Sequence, residues 1–389
     1  MIKVLYFCST FYPENSGYSN AFQNFLRAIS STGEFDIQIL TSKQLENNEE
    51  LVIPRSSIKR LKPLFHKSKI GAWLNKFYFA IQLNQYLNSN YFNVILFETI
   101  EEGVILSLLR RKYLNKILFR IHATFETEYT IFFPKFIFKL NKYLLKHFVV
   151  PHVRYISATN SYHNNFYKKY FLNDNLFSIV NRNFFVLPNT ILVPRIDLNK
   201  TENEFRSIFI LGRMNEEGFL QKGFEDFINA CILLGDEYLE KKVRITIVGQ
   251  GVNSSKIRKK IEENNLSKIV KQIPTLSHEM VQSTLRETDI VVLPSRFEGM
   301  SMFGLEAIAN GAFVIFSNTG GLIELVDKNG LLFEPQNVED LANKIKISLE
   351  LSNEEILLAR NRSIELFWDN FSPQIVAQRF QRIVSIINS

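Results

Sequence analysis

Only two cysteines occur in the 389 residues, Cys8 and Cys231, and they lie far apart in segments that read as a strand and a helix. A disulfide scaffold and a cysteine metal cluster are therefore excluded, and two buried thiols in a reducing compartment are expected. No run of 18 or more apolar residues is free of lysine and arginine, so no membrane-spanning helix is expected. The opening MIKVLYFCSTFYPENSG lacks the long apolar region and the small-residue cleavage site of an export leader, and reads as a first strand. A cytoplasmic protein is the expectation. The chain has no internal repeat, no complete G-x-G-x-x-G fingerprint, no D-x-D motif, and no helix-turn-helix, RNA-recognition or zinc-finger signature. Nicotinamide binding is disfavoured by this, and nucleic acid is not an expected partner.

Acidic residues are scarce in one half only. Residues 1–195 hold 24 Lys+Arg against 12 Asp+Glu, whereas the remainder holds 22 against 27, so the net +7 divides into +12 and −5. Between Leu51 and Phe97 there are seven basic residues and no acidic ones. In FFPKFIFKLNKYLLKHFVV, lysines 135, 139, 142 and 146 recur every three or four residues opposite Phe and Leu, which places them along one helical face. A basic amphipathic helix suits the surface of an anionic membrane, although a packed helix with a solvated basic face has the same pattern.

What is present is an alternation of short apolar strands and amphipathic helices, the pattern of an α/β protein with parallel sheets. IKVLYFC, FDIQILT, NVILF, KILFRI, RYISAT and NFFVLP read as strands of a first half, and SIFILG, VRITIVG, DIVVL and FVIFS as strands of a second. The polar stretch Arg195 to Arg206 is the linker candidate. At this length two domains are expected, 1–195 and 196–370, with 371–389 a last helix returning to the first. Two such domains would leave a cleft between them for a ligand.

The densest constellation is LPSRFEGMSMFGLEAIANG, Leu293 to Gly311. A buried strand runs into a turn loosened by Gly299 and Ser301, and a helical pattern follows until Gly311. Glu298 then stands at a strand's carboxyl end and Glu306 within the next helix. In open α/β sheets ligands bind at that edge, where a helix N-terminus offers free N–H groups to a phosphate. By spacing alone, two glutamates eight apart equally suit a solvated surface. Gly212-Arg213 closes another strand, and Lys222-Gly223 opens the next helix, so two cations flank a strand-end loop able to clamp a diphosphate. Gly17 precedes a helix after the first strand. His122 ends KILFRI, where a histidine either packs in the core or hydrogen-bonds a sugar hydroxyl.

Taken in order, ILGRM with Lys222-Gly223, ITIVGQG, VVLPSRFEGMSMFGLEAIANGAFVIFSNTGGLIELV and GLLFEP resemble the second domain of the retaining family 4 glycosyltransferases (glycosyl transferases group 1). FYPENSGYSNAF, RIHAT and VLPNT resemble their first domain more weakly. The family's glycine pair is Ser16-Gly17 here, Pro188-Asn189-Thr190 replaces its Pro-Asn-Gly, and MNEEGFLQ before Lys222 is longer than usual. The resemblance implies the GT-B fold, two Rossmann-like α/β/α domains facing across a cleft. It also implies transfer of a sugar, with retention and without metal or cofactor, from a UDP- or GDP-sugar to a glycan or lipid-linked acceptor, as in bacterial surface polysaccharide or glycolipid synthesis. It assigns Arg213 and Lys222 to the diphosphate, Glu306 to the ribose, Glu298 with Gly299, Met300, Ser301 and Met302 to the donor sugar, Gly17 to the phosphates and His122 to the sugar. A catalytically silent partner subunit and a sugar-nucleotide epimerase are the alternatives.

Overall fold

A computed structural model describes residues 1–8, 17–41, 53–61, 63–64, 69–98, 102–122, 135–149, 153–172, 183–198 and 204–389. The first-loop residues before Gly17, the RIHATFETEY segment beyond His122 and the linker residues 199–203 lie outside the described residues. The chain forms two compact units, Met1–Leu192 with Ser372–Ser389, and Val193–Phe371.

The first unit is built on seven parallel strands: β1 (Ile2–Cys8), β2 (Phe35–Thr41), β3 (Ser56–Arg60), β4 (Val94–Phe97), β5 (Ile117–Ile121), β6 (Tyr155–Ala158) and β7 (Asn183–Val186). Their order is β3-β2-β1-β4-β5-β6-β7. The second unit has β8 (Arg206–Leu211), β9 (Val243–Val248), β10 (Val270–Ile273), β11 (Ile290–Leu293), β12 (Phe313–Ser317) and β13 (Gly330–Phe333), in the order β10-β9-β8-β11-β12-β13. Numbered within each unit, both sheets run 3-2-1-4-5-6, the doubly wound Rossmann order, and the first adds a seventh strand at its edge. The order reverses between β1 and β4 in one unit and between β8 and β11 in the other, and crevices for ligands open beyond the carboxyl ends of those strands.

The inner strands are mostly apolar because helices cover both faces of a parallel sheet. Val4 to Cys8 and Ile290 to Leu293 are buried without interruption. The helix Gly17–Ser31 buries Phe22, Phe25, Leu26 and Ile29, one stripe at helical spacing. The last helix, Pro373–Asn388, joins the same core: Phe380 lies 5.4 Å from Phe25 and 5.2 Å from Phe35, ring centre to ring centre. Three strands were not foreseen. β3 (SSIKR) is a polar edge strand of alternating burial, β10 (VKQI) is the opposite kind of edge with one lysine and one glutamine in four residues, and β13 is a four-residue edge that opens with glycine.

A buried ion pair fixes the amino end of the second unit's switch point. Asp289, just before β11, accepts hydrogen bonds at Oδ2 from the backbone N–H and hydroxyl of Ser207 in β8, both at 2.9 Å. Its Oδ1 accepts from Arg360 Nη1 at 3.2 Å. Arg360, 4% exposed in the helix Asn353–Asn370, also donates to the carbonyls of Gly311 and Arg286. One carboxylate thus ties β8, β11 and a covering helix together. Replacing Asp289 by alanine leaves the guanidinium buried without its counter-charge and is expected to cost about 3–5 kcal/mol. Urea unfolding checks this, and a midpoint equal to wild type would contradict it.

Candidate active site

The carboxyl edge of the second sheet gathers most of the candidate residues. β8 ends at Leu211, and the chain passes through Gly212 and Arg213 before a short helix, Glu216–Lys222, which corrects the expectation of an open loop here. The reason is local. Asn215 caps the helix by accepting from the Gly218 N–H, and Glu216 and Glu217 occupy its first turn, where acidic side chains favour the positive end. Lys222 therefore closes this helix instead of opening the next, and Gly223, at φ 64°, joins it to the helix Phe224–Leu234. The extra residues shorten into helix, and Lys222 Nζ reaches Glu298 Oε2 at 2.7 Å.

That contact depends on the backbone of two loops. A Cβ on Gly223 would lie 1.9 Å from the carbonyl oxygen of Pro294, so no other residue permits the approach. The Arg296 N–H donates to Gln221 O at 2.8 Å, Gln221 Nε2 donates to Phe297 O, and Arg296 forms a two-pronged pair with Asp226 at 3.0 and 3.1 Å. The Lys222 stem lies against Gly212, whose Cβ would meet its Cγ at 3.1 Å. Across the site, a Cβ on Gly320 would strike Glu298 O at 1.8 Å, and the Gly321 N–H donates to Gly299 O at 2.8 Å. The loop carrying Glu298 is thus clamped from both sides.

Glu298 Oε2 also accepts from the hydroxyl of buried Ser295 at 3.1 Å. Ser301 caps the helix Met302–Ala309 by accepting from the Gly304 N–H, and Met300 is buried beside it. Glu306, on that helix, is mostly buried and accepts no side-chain hydrogen bond among the described residues; its Oε1 lies 3.9 Å from His278 Nδ1. Burial pushes its carboxyl up to about 7. Arg213 is exposed and makes no ion pair among the described residues.

In the first unit, Gly17 starts its helix at an exposed position where a Cβ would meet nothing within 4 Å. His122 ends β5 and is 7% exposed. Its Nε2 lies 2.7 Å from Glu98 Oε2, while Glu98 Oε1 accepts from Arg120 Nη1 at 2.9 Å. Glu98 and Arg120 are fully buried. Burial alone would raise Glu98, but Arg120 and His122 hold it below the usual carboxylate range. His122 is lowered by burial, with Glu98 opposing. Arg120 further donates to the carbonyls of Leu187 and Pro188 and to Asn189 Oδ1. Glu98 and Arg120 were missed as site residues, though a signal existed: each is a charge set in or directly after an apolar strand, and buried charges need partners.

The family model for glycosyl transferases group 1 matches residues 197–362. This stretch, inside the second unit, is similar to the group 1 glycosyltransferases. An uncharacterised glycosyltransferase of Methanocaldococcus jannaschii is 34% identical over 163 residues, covering 39% of this chain and 45% of that protein. The chain spans about half the length of the curated relatives that come first in similarity. Sucrose-phosphate synthase from Thermosynechococcus elongatus has a similar fold, with a TM-score of 0.77 at 16% identity over 100% of this chain and 99% of that one. An Anabaena protein solved with UDP and glucose gives 0.70 at 15% identity over 99% and 100%. The fold of the whole chain is thus GT-B, and the stretch matched by the family model lies in its second unit.

The second unit carries a titration with a definite sign. With Glu306 at about 7 when folded and near 4.5 when unfolded, the folded state holds the proton more tightly between those values. Stability therefore falls as pH rises from about 5 to 8, by on the order of 3 kcal/mol. Glu306→Gln is expected to remove this slope and to melt above wild type at pH 8 in thermal scans without nucleotide. Parallel wild-type and variant curves across that range would overturn it.

Proposed function

We propose that the chain is a retaining glycosyltransferase that moves a sugar from a UDP- or GDP-sugar to a glycan or lipid-linked acceptor, without a metal, in bacterial surface polysaccharide or glycolipid synthesis. The observation that carries this reading is the Lys222–Glu298 pair at the carboxyl edge of the switch point, with Arg213 one strand-end away and Glu306 eight residues on. Arg213 and Lys222 neutralise the diphosphate, and Gly17 is a further phosphate-binding residue. Glu306 accepts from the ribose hydroxyls. The backbone from Gly299 to Met302 and the Glu298 carboxylate orient the donor sugar, and His122 meets one of its hydroxyls.

Glu298 is a weakened nucleophile, because the Lys222 ammonium and the Ser295 hydroxyl both donate to its Oε2 and draw charge from the carboxylate. That favours transfer without a glycosyl-enzyme intermediate, unlike a two-carboxylate glycosidase. The bond from the anomeric carbon to the diphosphate oxygen breaks with its electron pair passing to the diphosphate, where fixed cations and the N-terminus of Met302–Ala309 stabilise the charge as it develops. The acceptor hydroxyl bonds to the same face of the anomeric carbon, and its proton passes to the departing phosphate oxygen. The Anabaena protein solved with UDP and glucose supports a UDP-sugar among the donors to test first.

A panel of UDP, GDP, ADP and their sugars in thermal-shift assays identifies the donor, because a ligand that binds only the folded state raises the melting temperature by mass action. The stabilising nucleotide is expected to lose its effect in Arg213→Ala and Glu306→Ala. Sugar transfer at the wild-type rate in both variants would sink the assignment, and an epimerised donor appearing without acceptor would replace it by the epimerase reading.

An anionic membrane surface is the proposed meeting place with the acceptor. No helix among the described residues is long and apolar enough to cross a membrane. The helix Lys135–Leu144 instead leaves Phe136 76% and Tyr143 55% exposed, seven residues apart on one face, with exposed Lys139 between them. The side chains of Lys135 and Lys142 lie outside the described residues. Flotation with anionic liposomes is expected to carry the protein, less so at high salt, and Phe136→Ser is expected to weaken it. Failure to float at any salt concentration would reject the membrane contact.

A further inference from the structure

We propose that the first unit holds a phosphate-binding pocket of about 400 Å³ at the amino ends of β4 and β5, where Lys112 and Lys116, with Arg110 beside them, take a phosphate monoester. A free phosphorylated compound and the headgroup of an acidic lipid both present that chemistry. The inference does not depend on the sugar-transfer reading. Phe92 lies just before β4 and Lys116 directly before β5, whereas His122 stands at the other end of β5, on the carboxyl edge where ligands of an open α/β sheet gather. The pocket is therefore no part of the candidate active site.

The pocket forms where the end of the helix Lys69–Ser89 meets the chain leading into β5, which includes the short helix Arg111–Leu114. Asn84 ties the two together: its Nδ2 donates to Leu108 O and its Oδ1 accepts from the Arg110 N–H, both at 3.0 Å. One turn further on, Asn88 Oδ1 faces Tyr113 OH at 2.7 Å, Arg110 Nη1 at 3.1 Å and Lys112 Nζ at 3.3 Å. An amide oxygen has two lone pairs, and a guanidinium and an ammonium carry more N–H donors than it can serve. Lys116 Nζ donates to Phe92 O at 3.0 Å and lies 3.9 Å from the centre of the Tyr91 ring, and Lys112 Nζ lies 4.8 Å from that of Tyr113. Aromatic faces attract ammonium groups, so both lysines are held in place without an opposite charge.

The charges do not balance from within. Segments 69–97 and 103–122 contain no aspartate or glutamate, and none of Arg110, Lys112 and Lys116 forms an ion pair among the described residues. The carboxyl end of the helix Lys69–Ser89 answers part of their charge, but a helix end amounts to about −0.5, which leaves a surplus of roughly +2.5. Capping that helix would need only one of the three. A carboxylate ligand would bring a single charge, whereas a phosphate monoester brings about −1.5 to −2 near pH 7 together with three accepting oxygens. It matches both the surplus charge and the surplus donors.

Pyridoxal phosphate tests this on the wild-type full chain, because it joins a phosphate monoester to an aldehyde. The aldehyde condenses with a lysine amine, losing water, and borohydride reduces the imine to a stable amine that peptide mass locates. Labelling is expected at Lys112 or Lys116 faster than at the exposed Lys169 and Lys241, and pyridoxal, which lacks the phosphate, is expected to show no such preference. Glycerol phosphate at about ten times its dissociation constant is expected to slow labelling of the pocket roughly tenfold, by mass action. Protection by glycerol phosphate assigns the site to a free phosphorylated compound, and protection by phosphatidic acid vesicles alone assigns it to a lipid headgroup. Labelling that neither competitor slows, or the same preference with pyridoxal, would overturn the proposal. Lys222 is read on its own peptide with UDP as competitor, so the donor reading and the pocket can each fail without the other.

Discussion

The 2.7 Å contact between Lys222 and Glu298 exists because two backbones approach more closely than any Cβ permits, Gly223 against Pro294 on one side and Gly320 against Glu298 on the other. Flexible side chains could bridge two loops held further apart, but they would do so in many geometries. Here the loops themselves are in contact, and the hydrogen bonds from Arg296 N–H to Gln221 and from Gly321 N–H to Gly299 leave the Glu298 loop no freedom to drift. The side chains then inherit their positions. Preorganisation of this kind matters for transfer chemistry, since a charge that develops on a leaving group is stabilised only by dipoles and cations already in place.

Much of the fold was legible because its inner strands are buried on both faces. IKVLYFC, VRITIVG and DIVVL are short, mostly apolar blocks, and such blocks separated by amphipathic helices admit few other architectures. The edge strands were not legible for the converse reason. SSIKR has one face open to solvent and carries two cations in five residues, which breaks the pattern that betrays a strand while leaving its backbone ladder intact. The helix Glu216–Lys222 was missed differently. MNEEGFLQ reads as an inserted loop because its glycine and polar residues outweigh a seven-residue apolar pattern, yet the Asn215 cap and two leading glutamates are the local signals that start it.

The candidate site divides along the same line. Residues at strand ends, Arg213, Glu298 and His122, follow from the rule that ligands gather at the carboxyl edge of parallel strands. Partnerships do not follow from it. That Glu298 holds Lys222, that Arg296 holds Asp226 and that Glu98 stands between Arg120 and His122 are facts of packing between segments 22 to 76 residues apart, and no local pattern encodes them. Arg120 came nearest to being foreseeable. An arginine flanked by Ile117, Leu118, Phe119 and Ile121 has no route to solvent, so it demands a carboxylate and several carbonyls nearby, and the strand that pairs with β5 ends in one.

Glu98 and Glu306 show how burial alone does not decide the state of a carboxylate. Both are withdrawn from water, which favours the proton on each. Glu98 is nevertheless held below the usual carboxylate range, because the fixed Arg120 guanidinium and the His122 ring each engage one of its oxygens from within the protein. Glu306 has no such donors among the described residues, only His278 at 3.9 Å, and so it keeps its proton to about 7. A carboxylate whose two oxygens are each engaged by donors of its own chain needs no outside donor to stay ionised. One left without donors in a mostly closed position is stabilised as an anion only when hydroxyls arrive from outside. The two glutamates therefore differ not in burial but in the donors that surround them.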